Sequence, residues 1–141
     1  MEAQAIANLF SALRDGEIRD LQMEDQNLQF RVLLPQLAEL RAEGFQFFLC
    51  TIRGIKNLTF QPFRNESTEI KDFKQINKLQ IQIVRAEVGD GNWIRVMCSH
   101  KGSQTGARLS IQGEAFAVWD EAFDPVSAAE LSILRGKSLS R

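Results

Sequence analysis

Gly44-Phe-Gln-Phe-Phe-Leu-Cys-Thr-Ile-Arg-Gly-Ile-Lys-Asn-Leu-Thr-Phe-Gln-Pro-Phe63 decides the fold class, because it reads as two consecutive strands of a sheet. Phe45, Phe47 and Leu49 alternate onto one face and Phe48, Cys50 and Ile52 onto the other. Both faces are apolar, as expected of a strand covered on two sides. Gly54 interrupts the pattern and Ile55 to Phe60 resumes it. Pro62, which has no N–H to give a ladder, ends it. The stretch is core and carries no recognisable chemistry.

On the amino-terminal side, Ile6, Leu9, Phe10 and Leu13 fall at helical spacing within Ala3 to Leu13, and Asp15-Gly16 supplies a turn. Glu17 to Met23 is a weak strand pattern. Leu28, Phe30, Val32 and Leu34 make a clear one that Pro35 closes. Leu37 to Arg41 fits a single helical turn or a loop before Gly44.

On the carboxyl-terminal side, Ile70, Phe73 and Ile76 anchor a short helix or a loop within Arg64 to Lys78. Leu79 to Val88 and Trp93 to Ser99 read as strands joined by the hairpin signal Gly89-Asp90-Gly91-Asn92. His100 to Gly106 reads as a loop, and Ala107 to Val118 as one long strand that Gly113 bulges or bends. A last helix over Pro125 to Arg135 is predicted, started by Asp124-Pro125 or by Ser127 with Glu130, and stopped by Gly136.

Together these segments predict a mostly antiparallel α+β domain. Six to seven strands would form a curved sheet, sandwich or partial barrel, flanked by N- and C-terminal helices. A single globular domain is expected over 1–136, with 137–141 as a flexible tail.

The composition bounds the function. A formal net charge of -1 supplies no excess of cations for phosphates and argues against generic nucleic-acid binding. No apolar run is long enough to span a bilayer, and the amino terminus has no secretory pattern, so no membrane association and a cytoplasmic location are expected. Ten Phe and no Tyr favour dry packing over hydroxyl-tipped recognition.

Cys98 and His100, with one residue between them, would project from the same face of a strand, as a thiol enzyme or metal site requires; further metal ligands are not supplied locally. Asp120, Glu121 and Asp124 precede a helix, where capping is the commoner role of such carboxylates. A phosphate cradle, a nucleophile elbow and a Cys-x-x-Cys pair are all missing from the sequence. The expectation is therefore a non-enzyme without a cofactor. The set Gln29, Arg31, Gln80, Gln82, Arg95 and Gln112 would stand on the exposed sheet face, where amides and forked guanidiniums suit a peptide or an acidic partner.

Asp15, the strand Ile18 to Met23, the alternating strand Leu28 to Leu34 and the Gly54 to Phe60 segment resemble the arrangement in small bacterial β-rich proteins. These are proteins of the polymorphic-toxin immunity kind and related uncharacterised domains. Arg14 stands where that family often has a histidine. The resemblance implies a bacterial, cytoplasmic, non-enzymatic protein that binds another protein; no active-site residue follows from it. Self-association as a homodimer, through a sheet edge or the N-terminal helix, belongs to the same reading. The alternatives are a barrel or sandwich enclosing a small apolar ligand among its Phe side chains and, last, a thiol- or metal-dependent enzyme using Cys98 and His100.

Overall fold

The computed structural model describes residues 1–62, 69–100 and 106–140. The chain runs α1 (Ala3–Ala12), β1 (Glu17–Glu24), β2 (Asn27–Leu33), α2 (Pro35–Ala38), β3 (Phe47–Arg53), β4 (Asn57–Pro62), α3 (Phe73–Lys78), β5 (Gln82–Val88), β6 (Ile94–Ser99), β7 (Ala107–Gln112), β8 (Ala115–Trp119) and α4 (Ala128–Leu139). The fold is α+β, built on one antiparallel sheet of eight strands in the order β4-β7-β6-β5-β1-β2-β3-β8. The start of the Arg64 segment and most of the His100 to Gly106 loop lie outside the described residues.

The sheet has eight strands rather than six or seven because the long strand expected over Ala107 to Val118 is divided at Gly113. A Cβ on Gly113 would lie 2.7 Å from Ile52 Cγ2, so only glycine lets the chain cross that close to β3. Opposite it, Gly54 takes a φ of +68°. The two corners are stitched together: Lys56 N–H donates to the Gln112 carbonyl at 2.9 Å and Glu114 N–H to the Arg53 carbonyl at 2.8 Å. Below the corner β3 pairs with β8, and above it β4 pairs with β7. These two bent chains link a β1-β2-β3-β8 half to a β5-β6-β7-β4 half.

Phe48, Cys50 and Ile52 are buried, whereas Phe47 and Leu49 on the opposite face are only half-buried. The expectation of a strand covered on both sides is therefore corrected. Among the described residues no second layer lies over the outer face of β3; the Arg31 guanidinium covers Phe47 instead, 4.2 Å from the ring centroid. On the inner side, helix α1 packs against β5, β6 and β8. Its Phe10 meets Phe116 edge-on at 4.7 Å and lies parallel to Phe30 at 6.1 Å, while Phe30 and Phe116 are 5.9 Å apart. The three rings fill the space between helix and sheet, and each fully buried Phe contributes roughly 1.5–3 kcal/mol.

Both terminal strands of the sheet order are partly covered. On β4, Phe60 exchanges two backbone hydrogen bonds with Ile70, at 3.1 and 2.8 Å. On β8, Val126 N–H donates to the Val118 carbonyl at 2.8 Å and Asp120 N–H to the Asp124 carbonyl at 3.0 Å. Phe116 C=O and Val118 N–H on the rest of that edge have no backbone partner among the described residues, which bears on the site below.

Helix α4 starts at the second of the two expected signals and departs from expectation at its far end. It starts from Ser127, whose hydroxyl accepts from Glu130 N–H at 3.1 Å while the Glu130 carboxylate accepts from Ser127 N–H at 3.3 Å. It then runs through Gly136 to Leu139, so Gly136 does not end it. A Cβ at Gly136 would meet nothing within 4 Å, which places this glycine on the open side of the helix.

Candidate functional site

Two surfaces stand out, at opposite ends of the sheet order. The first is a groove between α1 and β8. It encloses 610 Å³ and is lined mainly by Met1, Ala5, Leu9, Phe116, Val118 and Trp119, with Pro125 and Val126 closing one side. The β2–β3 register makes Phe48, Cys50 and Ile52 the residues bonded to β2, which leaves Ala115, Ala117 and Trp119 as the β8 residues bonded to β3. Phe116 and Val118 therefore direct their backbone groups outward. The Val118 carbonyl is taken by Val126, and Phe116 N–H faces the Met1 sulfur at 3.5 Å. Among the described residues, Phe116 C=O and Val118 N–H have no backbone partner on that edge.

The loop beside this groove is pinned from several directions. Asp120, 4% exposed, accepts from Ala122 N–H at 2.9 Å and Asp124 N–H at 3.1 Å through Oδ1. Its Oδ2 accepts from Arg41 Nε at 3.1 Å and Nη2 at 3.0 Å. The other arm of Arg41 reaches Glu130 at 2.8 Å, and Glu121 accepts from Gln46 N–H at 2.5 Å. Burial alone pushes the Asp120 carboxyl up; the Asp124 and Ala122 N–H groups and the Arg41 guanidinium outweigh it and hold the group below its ordinary range. The carboxylates expected to cap the last helix thus tie the loop to α2 and β3, and the cap is Ser127. The pinned loop presents Phe123 at a φ of +63° and 72% exposed. That backbone conformation costs a bulky residue about 1–3 kcal/mol and persists where its surroundings enforce it.

The second surface is a dish of 370 Å³ on the outer face of β4, β7 and β6. Period-two alternation puts Asn57, Thr59 and Gln61 on it from β4, Arg108 and Ser110 from β7, and Arg95 from β6, with Trp93 at the rim. Gln61 accepts from Arg108 Nη2 at 2.7 Å and donates to Glu69 at 3.2 Å. Asn57 donates to Gln112 at 2.6 Å, and Gln112 donates to the Gly91 carbonyl at 2.9 Å, fixing the hairpin tip to β7. Arg95 rests against Gly89, where a Cβ would come 2.7 Å from its Cζ.

The six residues expected on one exposed face are distributed over three places. Gln29 and Arg31 line a 540 Å³ depression on β1, β2 and β3, where Arg31 Nε donates to Asp20 at 2.7 Å. Gln80 and Gln82 lie at the β1–β5 junction; Gln80 precedes the strand, with a φ of +52°, and Gln82 donates to the Asp15 carbonyl at 3.1 Å. Arg95 borders the dish, and Gln112 buttresses it from β7. Arg108, Trp93 and the β4 residues escaped the sequence reading. Their alternation was visible, but the β4–β7 pairing that brings them together joins segments about fifty residues apart.

Cys98 is buried and donates to the Val96 carbonyl at 3.3 Å. Burial pushes its thiol up to about 12, against a smaller lowering effect from the Leu109 backbone, so no thiolate is available at neutral pH. His100 stacks edge-on against Phe60 at 5.7 Å. No group of three or more His, Cys, Asp or Glu side chains able to hold a metal occurs among the described residues. None of the helices described is long and apolar enough to cross a membrane.

The chain matches no known protein family, no curated protein and no solved structure.

Proposed function

We propose that this chain is a non-enzymatic protein-binding domain, of the immunity-like kind that its sequence resembles, and that it docks its partner in the groove between α1 and β8. The observation that carries this reading is the conjunction of an apolar groove with the open part of a strand edge. Phe116 C=O and Val118 N–H offer main-chain hydrogen bonds along the same cleft whose walls are Leu9, Phe116 and Trp119. Strand addition uses both elements, with backbone bonds giving affinity and apolar recesses receiving alternate side chains. Phe123, exposed beside the groove on a pinned loop, supports the reading as an aromatic anchor. A second copy of the chain is the simplest partner, since an open edge is self-complementary under two-fold symmetry.

The test is sedimentation and cross-linking of the wild type beside Ala5→Arg, which fills the groove from the α1 side. Complexes formed by the wild type, with itself or with an added partner, are expected to disappear in the variant. Complexes that survive with cross-links elsewhere would sink the groove as the docking surface.

The same groove supports a second reading, a small apolar ligand, because its 610 Å³ falls within the roughly 300–1,000 Å³ typical of ligand sites. Native mass spectrometry of gently purified protein separates the two: a retained small-molecule mass favours the ligand, and a bare monomer or dimer favours protein binding.

A further inference from the structure

The dish on β4, β7 and β6 carries arginine charge that no carboxylate among the described residues pairs with. Arg19, Arg31, Arg41, Arg85 and Arg135 each have a carboxylate within 4.0 Å. Among the described residues Arg14, Arg53, Arg95 and Arg108 have none; Arg14 and Arg53 are exposed to solvent, whereas Arg95 and Arg108 are half-buried. Glu87 stands directly across from Arg95 on β5, yet its carboxylate is engaged by Arg85 at 3.4 Å. Glu69, the carboxylate lining the dish, faces Lys71 at 4.0 Å and Gln61. Among the described residues, three cations against one anion give the lining two net positive charges, on a chain whose formal net charge is -1.

The β6–β7 register places the two arginines on one face. Arg95 is registered with Ser110 and Arg108 with Met97, so the two arginines are diagonal neighbours on one face, their backbones about 7–8 Å apart. Arg108 Nε–H is shielded from solvent and meets no acceptor among the described residues, and a buried donor left in that state calls for an acceptor from outside. Asn57, Thr59 and Ser110 add neutral hydrogen-bonding groups, and the Trp93 indole at the rim offers an apolar face beside them.

We infer that this dish is a second binding site, taking a carboxylate-bearing segment of a partner protein: an acidic side chain bridges Arg95 and Arg108 through forked hydrogen bonds, and a neighbouring apolar residue lies on Trp93. Charge complementarity selects the anion. The choice of acidic peptide over nucleic acid rests on the small number of cations, since tracking a phosphate backbone takes a basic groove several charges long. The site is independent of the groove at β8.

The experiment is a fluorescence titration of Trp93 in a Trp119→Phe background with a tetraglutamate peptide blocked at both ends, with the matching tetraglutamine peptide and oligo(dT) as comparison probes. The glutamate peptide is expected to produce a saturable change that Arg108→Gln weakens at least tenfold and that weakens further as salt is raised. Arg31→Gln and Ala5→Arg should leave it unchanged, the latter separating this site from the groove. Near-ultraviolet circular dichroism verifies that each variant is folded, and Arg95→Gln takes the place of Arg108→Gln where the latter does not fold. An equal response to the glutamine peptide, stronger binding of oligo(dT), or no response to the glutamate peptide at millimolar concentration would each overturn the proposal.

Discussion

On the β1–β2–β3 side of the sheet, the outward arginine Arg31 is bonded to Asp20 and laid over the Phe47 ring; on the β4–β7–β6 side, Arg95 and Arg108 face a concave polar surface and have no carboxylate within 4.0 Å among the described residues. Both sides are built by the same period-two alternation, with apolar residues turned inward and amides and guanidiniums turned outward. The difference arises from local backbone geometry. A bulge in β1 between Arg19 and Gln22 puts Asp20 at a φ of +58° and lifts its carboxylate to Arg31 across the ladder. The pairing of β6 with β7 contains no such irregularity. An outward arginine is thus a solvated strut in one half and an open donor in the other, and only the pairing partners distinguish them.

The comparison supposes that both halves belong to one cooperative unit, with α1 between them. Phe10→Ala breaks the ring cluster that α1 makes with Phe30 and Phe116, and its expected cost is about 3–5 kcal/mol in urea unfolding, as a single transition. Two separated transitions would show that the halves are independent. Next in size is the ion pair that anchors α2 and the β8–α4 loop. Arg41→Met leaves the Asp120 carboxylate buried without its guanidinium and is expected to cost about 3 kcal/mol.

The same pair gives a pH dependence whose sign follows from the lowered carboxyl. Because the folded-state value of Asp120 lies below the unfolded one, its contribution is complete above the ordinary carboxylate range and is lost as pH falls through the folded value. Thermal melts below about pH 4 should therefore show a larger loss of stability in the wild type than in Asp120→Asn. Parallel curves for the two proteins would remove Asp120 from the account.

Gly113→Val tests the corner that joins the halves. The added side chain meets Ile52, and the expected destabilisation is about 1–3 kcal/mol, read from the urea midpoint. The smallest effects on stability bear most closely on the comparison itself. Arg31→Gln loses an exposed ion pair and a cation–π contact, worth less than about 1 kcal/mol each. Arg108→Gln removes a charge with no counter-ion among the described residues, along with its hydrogen bond to Gln61, and should leave the melting temperature nearly unchanged.

Much of the fold was legible in the sequence, and the missing part has a physical cause. The hairpin at Gly89 to Asn92 joins β5 to β6 as its residues require, with Gly91 and Asn92 at positive φ. The α1 stripe and the alternation of β2 also fold as read, because both are local patterns. The exchange of neighbours at Gly54 and Gly113 was not legible, since it depends on a contact between segments far apart in sequence. For the same reason the six outward residues looked like one surface. Alternation fixes the face of a strand that each occupies, whereas strand order decides which of them meet, and the sequence carries no local signal for strand order.

The most direct test of the contrast is arginine side-chain NMR. The Nε–Hε resonances of Arg31, Arg41, Arg95 and Arg108 would be followed while the blocked tetraglutamate peptide is added at constant ionic strength. The account predicts that Arg95 and Arg108 shift together along one saturating curve while Arg31 and Arg41, already held by Asp20 and Asp120, stay in place. Uniform shifts of all four arginines, or an Arg31 that moves first, would contradict it.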